Sequence, residues 1–177
     1  VRKRLLEILP EIGWIQNEEL REKVIAAWLM ALERGGWTPE DIARMPFTLV
    51  KKVKANFAQH VRSVTRICAF VADTFDEIYG GVDLALDRDT LLAGALLHDV
   101  GKLLEIEEHG GAFGKSEAGK LVRHPFSGLA IADACGLPVE VQHIIGTHSK
   151  EGDSHKRTPE AIILHLADFM NFDPIEG

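Results

Sequence analysis

An all-α fold is predicted by three observations. Apolar residues recur at intervals of three and four along most of the chain, strand-like alternation is absent, and Gly or Pro punctuates the periodic segments. Residues 17–34, "NEELREKVIAAWLMALER", form the first amphipathic helix, stopped by Gly35–Gly36. In "WTPEDIARM", Thr38 is placed to cap a short helix with Pro39 at its first position. The segment 53–79 has the strongest stripe: Phe57, Val61, Val64, Cys68, Val71, Phe75 and Ile78, with His60 inside it and Gly80–Gly81 ending it. A helix over 88–99 carries the leucine-rich run that ends in His98–Asp99. Residues 108–120, "EHGGAFGKSEAGK", read as a glycine-rich loop. Helices over 124–135 and 138–148 are separated by "CGLP", and 152–158 is a polar loop. Thr158 and Pro159 then open a helix to residue 170. The expected organisation is a helical bundle over 51–177 preceded by a helical extension over 1–50.

Bulk properties narrow the function classes. A chain of 177 residues, 46% hydrophobic and 27% charged, fits one globular domain with its own core. Its net charge of −7 argues against a surface built for general nucleic-acid binding, while leaving room for a local basic pocket. No apolar run approaches the roughly 18 residues needed to span a bilayer, and no signal-peptide pattern opens the sequence. Cys68 and Cys135 form no CxxC pair, so a reduced, cytoplasmic protein is expected.

The informative residues are polar ones in apolar company. His60 lies on the long stripe, His98–Asp99 end a leucine run, and Asp168 sits within "AIILHLADFM". A carboxylate at the edge of a core is expensive without a partner. Two imidazoles and two carboxylates gathered from three helices make a mixed nitrogen–oxygen set suited to a divalent first-row metal. Neighbours on a helix point about 100° apart, so His98 and Asp99 can act together only near a helix end, and Gly101 is expected to supply that end.

In this order and spacing, His60, His98–Asp99 in "LLHDVGK" and Asp168 in "HLADFM" resemble the H…HD…D signature of the HD-domain superfamily of metal-dependent phosphohydrolases, over roughly residues 55–170. The resemblance implies an HD-type helical bundle in which His60, His98, Asp99 and Asp168 hold one metal. Binuclear members carry two further histidines. His124 in "RHPFSGLAIA" and His148 in "IIGTHSKEG" are similar to them, which implies a second metal with Asp99 bridging. Read alone, both histidines have an alternative as helix-terminal or exposed residues. By the same resemblance the cofactors are two divalent ions, iron or manganese, and Asp99 fixes the water that attacks phosphorus.

Lys102 matches the lysine of the family's HDxGK stretch and has two readings, phosphate binding or an ion pair with Asp99. Lys115, Lys120, Arg123 and Lys150 lie near the ligands in sequence and offer a pocket for a small anionic phosphate ester, such as a nucleotide or cyclic nucleotide. Arg62 and Arg66 are expected on the exposed face of the long helix. His165, three residues before Asp168, is assigned an indirect or packing role. "GGAFGKS" resembles a P-loop but has His109 where GxxxxGK[ST] needs glycine, so it is read as a flap beside the active site. Chemistry other than phosphomonoester or phosphodiester hydrolysis stays open: a di-iron oxygenase, or a sensor or interaction domain without catalysis. RNA is a substrate without support, because no separate RNA-binding module is evident.

Overall fold

A computed structural model describes residues 1–80 and 82–176. Helix α1 (Arg2–Ile8) leads through a 3-10 turn at Pro10–Trp14 into α2 (Glu18–Gly35), and α3 (Pro39–Ile42) follows. The Asn17 side chain accepts from Leu20 N at the start of α2, and Gly36 at φ 73° closes its end. Thr38 starts α3 as expected, with the Asp41 carboxylate accepting from its N–H at 2.7 Å and its hydroxyl at 2.8 Å.

The long helix α4 spans Phe57–Tyr79, four residues shorter at its start than its periodicity suggests. Asn56 sets the boundary: its side chain accepts from Gln59 N while Gln59 Oε1 accepts from Asn56 N, a reciprocal cap. Gly80, at φ 55°, ends it. Phe57, Val61, Val64 and Cys68 are fully buried, but Ile78 is 67% exposed, so the stripe leaves the core one turn early. Helix α5 (Arg88–Leu97) is the centre of the molecule, with every residue from Thr90 to Leu97 buried. Each of its leucines contributes about 1.5–3 kcal/mol of burial. It separates a large core cluster that includes α2 residues from a smaller one shared with α10 (Pro159–Glu176).

Residues expected as a helical extension pack on that same large cluster: Leu5, Leu9, Ile12 and Ile15 are fully buried. The Glu11 carboxylate is buried with them, and it is the partner of the two arginines expected on the exposed face of α4, where Arg66 is exposed and Arg62 half-buried. Arg62 Nε lies 3.1 Å and Arg66 Nε 2.7 Å from Glu11 Oε1, so both reach over α4 to neutralise it. Asp89 fastens the same segment by accepting from Gln16 N and Asn17 N.

The glycine-rich stretch is also corrected. After α6 (Lys102–Glu105), strands β1 (Ile106–His109) and β2 (Ala112–Lys115) pair antiparallel, with Glu108 opposite Phe113, and α7 (Glu117–Leu121) follows. Gly110 and Gly111, at φ 58° and 84°, make the turn. Long-range contacts hold it: Arg44 makes a two-pronged pair with Glu108 and lies over the Phe113 ring, which packs against Trp37. Helices α8 (His124–Ala134) and α9 (Val139–Thr147) complete the bundle. α10 runs six residues beyond its expected end, through Pro174, with Phe172 edge-on to Phe47. Among the described residues, no helix is long and apolar enough to cross a membrane.

Candidate metal centre

The six predicted residues converge on one centre at which α4, α5, α8, α9 and α10 meet. His60 comes from the first turn of α4, His98 follows α5, and His124 opens α8. His148 ends α9, while Asp168 lies inside α10. Close packing draws the helix ends together. A Cβ on Gly94 of α5 would sit 2.6 Å from Ile144 Cγ2 of α9, so glycine is what lets those helices approach. Gly101 has the same use rather than the helix-stopping one expected of it. Its φ of −65° is ordinary, but a Cβ there would fall 2.1 Å from the His124 carbonyl oxygen.

Asp99 stands at the middle, 2% exposed, and its two oxygens face different ways. Oδ2 lies 3.3 Å from Nε2 of both His60 and His98. Oδ1 lies 3.3 Å from His124 Nε2 and 3.7 Å from His148 Nε2. Asp168 Oδ1 completes the first group at 3.1 Å from His60 Nε2 and 3.8 Å from His98 Nε2. Within the histidine pairs the Nε2 atoms are 3.2 Å apart for His60 and His98, and 3.3 Å apart for His124 and His148.

The outer nitrogens of three of these histidines fix where their protons sit. His98 Nδ1 lies 2.8 Å from Ala95 O, and His148 Nδ1 lies 2.7 Å from Ile145 O. A carbonyl only accepts, so both Nδ1 atoms carry the proton. His124 Nδ1 donates likewise to Glu105 Oε2 at 2.8 Å. In neutral His98, His124 and His148 each Nε2 then points a bare lone pair inward. Two lone pairs 3.3 Å apart repel unless positive charge lies between them. Donors bound to a divalent ion at about 2.1 Å lie about 3.0–3.4 Å from one another, so the residues fit such ions.

Electrostatics agree with this charge need. Burial opposes ionisation of Asp99, but the Lys102 ammonium, helped by the surrounding imidazoles wherever they carry a second proton, holds its pKa well below the ordinary carboxylate value. Burial also opposes ionisation of Asp168, yet His60 and its neighbours bring it down to about 2. For His60, burial disfavours the imidazolium, while Asp168 and Asp99 outweigh it and raise the pKa. Burial lowers that of His124. Glu105 is held at about 2 against 4.5, with burial opposed by His124 and Arg123. A carboxylate depressed in the folded state stabilises the fold above its unfolded pKa and loses that contribution as pH falls. The metal-free protein is therefore expected to lose stability between pH 4.5 and about 2 in urea titrations, with Glu105→Gln making the decline shallower.

Lys102 takes the ion-pair arrangement, with Nζ 2.6 Å from Asp99 Oδ2 and 2.8 Å from Phe47 O. The Phe47 ring stacks on His60 at 4.6 Å between centroids. Beside the centre opens a cavity of about 580 Å³, which Lys102, Lys115, Arg123 and Lys150 border on one part and Phe47, Phe169 and Phe172 on another. Lys120 stands apart, paired with Glu117 in solvent. His109 and His155 are exposed, and His143 accepts from Thr158 N away from the centre. His165 donates from Nδ1 to the His148 carbonyl at 2.7 Å, the indirect position expected of it.

Sequence reasoning missed Glu105 and Phe47. Glu105 carried the same signal as Asp99, a carboxylate among Leu103, Leu104 and Ile106, but Glu107 and Glu108 beside it made it resemble a surface acid. Nothing local marks Phe47, whose place is set by the contact of residues near Pro46 with Asn56.

A family model described as the HD domain matches residues 57–170. Dihydroneopterin 2',3'-cyclic phosphate phosphodiesterase of Methanocaldococcus jannaschii is 31% identical over an alignment that spans 94% of this chain and 67% of that protein. No solved structure gives a significant match.

Proposed function

Because the chain belongs to the HD-domain family, we propose that it is a metal-dependent phosphodiesterase that opens a small cyclic phosphate diester borne by a heterocyclic molecule. In this reading His60, His98, Asp99 and Asp168 hold one divalent ion, iron or manganese, and Asp99, His124 and His148 hold a second. The observation that carries it is the division of Asp99, whose Oδ2 faces one histidine pair and Oδ1 the other. When bound, such ions acidify water and neutralise charge on phosphate oxygens.

The chain's own residues supply orientation and substrate binding. Asp99 fixes the two half-sites relative to each other. Lys102 spends two of its three N–H bonds on Asp99 and Phe47, leaving one for a phosphate oxygen. Arg123, Lys115 and Lys150 add positive charge at the cavity rim, while Phe169 and Phe172 offer an apolar wall to a flat ring. The water oxygen bonds to phosphorus as one ester P–O bond breaks, and the departing alkoxide takes up a proton. A phosphomonoester is the product.

The relative's substrate, a 2',3'-cyclic phosphate, supports a cyclic diester over a monoester. The test is phosphorus NMR of purified protein with manganese or iron, offered dihydroneopterin 2',3'-cyclic phosphate, a 2',3'-cyclic nucleotide and the matching monoesters. Ring opening that stops at a monoester, and that a chelator abolishes, is expected. Release of inorganic phosphate from monoesters alone, or oxygen uptake without ring opening, overturns the reading.

A further inference from the structure

Glu105 is the buried acid that no family signature and no expected ligand set assigns. Its backbone is clamped where α6 passes into β1: its carbonyl accepts from Ser116 N at 2.9 Å, and a Cβ on Gly119 would come within 2.2 Å of that same oxygen. Its side chain is 7% exposed, and the two carboxylate oxygens divide their work. Oε2 accepts from His124 twice, from the backbone N–H at 2.7 Å and from Nδ1 at 2.8 Å. Oε1 faces two cavity cations, Lys115 Nζ at 3.2 Å and Arg123 Nη1 at 3.4 Å.

We propose that Glu105 is a positioning residue that sets the proton and aim of His124 and ties the second metal site to the cationic rim of the cavity. The inference rests on His124 being a metal ligand. A carboxylate against Nδ1 has no proton to give, so the ring proton stays there and Nε2 keeps its lone pair for a metal. The negative charge also makes that lone pair a stronger donor. The same carboxylate meets Lys115 at the rim and shares Arg123 with Glu151, whose Oε1 lies 3.0 Å from Arg123 Nε, so one side chain touches a metal ligand and two cavity cations. By contrast, His98 and His148 rest on uncharged carbonyls, which makes the His124 half of the centre the one that depends on a charged partner.

Glu105→Gln tests this, because it keeps the shape and removes the charge. Manganese binding is followed by calorimetry and by electron paramagnetic resonance, which separates an exchange-coupled pair from a single ion without reference to activity. The site that holds His124 is expected to lose about ten- to a hundredfold in affinity, the other changing less than about twofold. The coupled signal then gives way to a single-ion spectrum at manganese levels that fill the unaltered protein. Should Glu105→Gln lack the helical circular dichroism of the parent, Glu105→Asp takes its place: it keeps the charge but withdraws the carboxylate from His124, so weaker binding at the His124 site is again expected, and unchanged binding of both ions overturns the inference. A coupled signal at unchanged manganese, or equal loss from both sites, overturns the inference. His124→Ala is the control for the reading beneath it: a coupled pair surviving that change removes His124 from the ligands, whereas its loss there and retention in Glu105→Gln refutes Glu105 alone.

Discussion

Asp99→Ala is expected to abolish hydrolysis and strip both metal sites while leaving a helical protein. Among the described residues Asp99 is the carboxylate that faces both histidine pairs, so its removal takes a donor from each half-site at once. What remains is two pairs of imidazoles with no carboxylate between them. Lys102 loses its 2.6 Å partner too, and keeps only the Phe47 carbonyl. The ammonium that was to meet phosphate is then free to move. Loss of both effects predicts a fall in kcat of about a thousandfold or more. Steady-state kinetics with metal analysis by plasma mass spectrometry checks it, and circular dichroism verifies the fold. Activity above a tenth of the parent's, with metal retained, would sink the assignment of the centre.

Gly101→Ala is the second large effect, and it acts through sterics alone. The new methyl would lie 2.1 Å from the His124 carbonyl oxygen and 2.6 Å from both Gly128 N and Ser127 Oγ. Two of these atoms are backbone in α8, so no rotamer change relieves the clash. The turn after Asp99 or the start of α8 has to shift, and His124 shifts with it. A destabilisation of about 3 kcal/mol or more is expected, together with weaker binding of the second metal. Gly13→Ala is the matched control, since nothing lies within 4 Å of a Cβ at that position and its φ is not positive. It is expected to stay within about 0.5 kcal/mol of the parent. Urea denaturation of the two variants side by side decides the matter, and equal midpoints would refute the packing argument.

The sequence was most legible where a polar residue interrupted an apolar helix. His60, His98, Asp99 and Asp168 stood out because a helical core has few uses for them, and all four meet in one place. Helix boundaries were readable where a cap is local, as at Asn17 and Thr38. The α4 start was missed because the stripe continues through Val53 while the reciprocal cap of Asn56 and Gln59 begins four residues later. Long-range partners were not legible. The hairpin's strands are four residues long and too polar to alternate, and their support comes from Arg44 and Trp37, more than sixty residues away. The ion pairs of Arg62 and Arg66 left no mark because their partner, Glu11, lies about fifty residues earlier in a segment with no evident periodicity. Gly101 was flagged for a sound position and the wrong reason, since close approach to another helix leaves no mark on the residues beside it.

The burial of Leu5, Leu9, Ile12 and Ile15 against the large cluster has a consequence for biosynthesis. The segment they belong to is fastened to Asp89 of α5, so it has no finished surface to dock on until that helix has left the ribosome. With translation at about 5–20 residues per second, roughly 4–16 s separate synthesis of Ile15 from that of Leu97. During that interval four aliphatic side chains wait in water on the nascent chain, a target for trigger-type chaperones and for sticking to neighbouring polysomes. Slow decoding between α2 and α5 is therefore expected to lower soluble yield more than the same delay placed after α5.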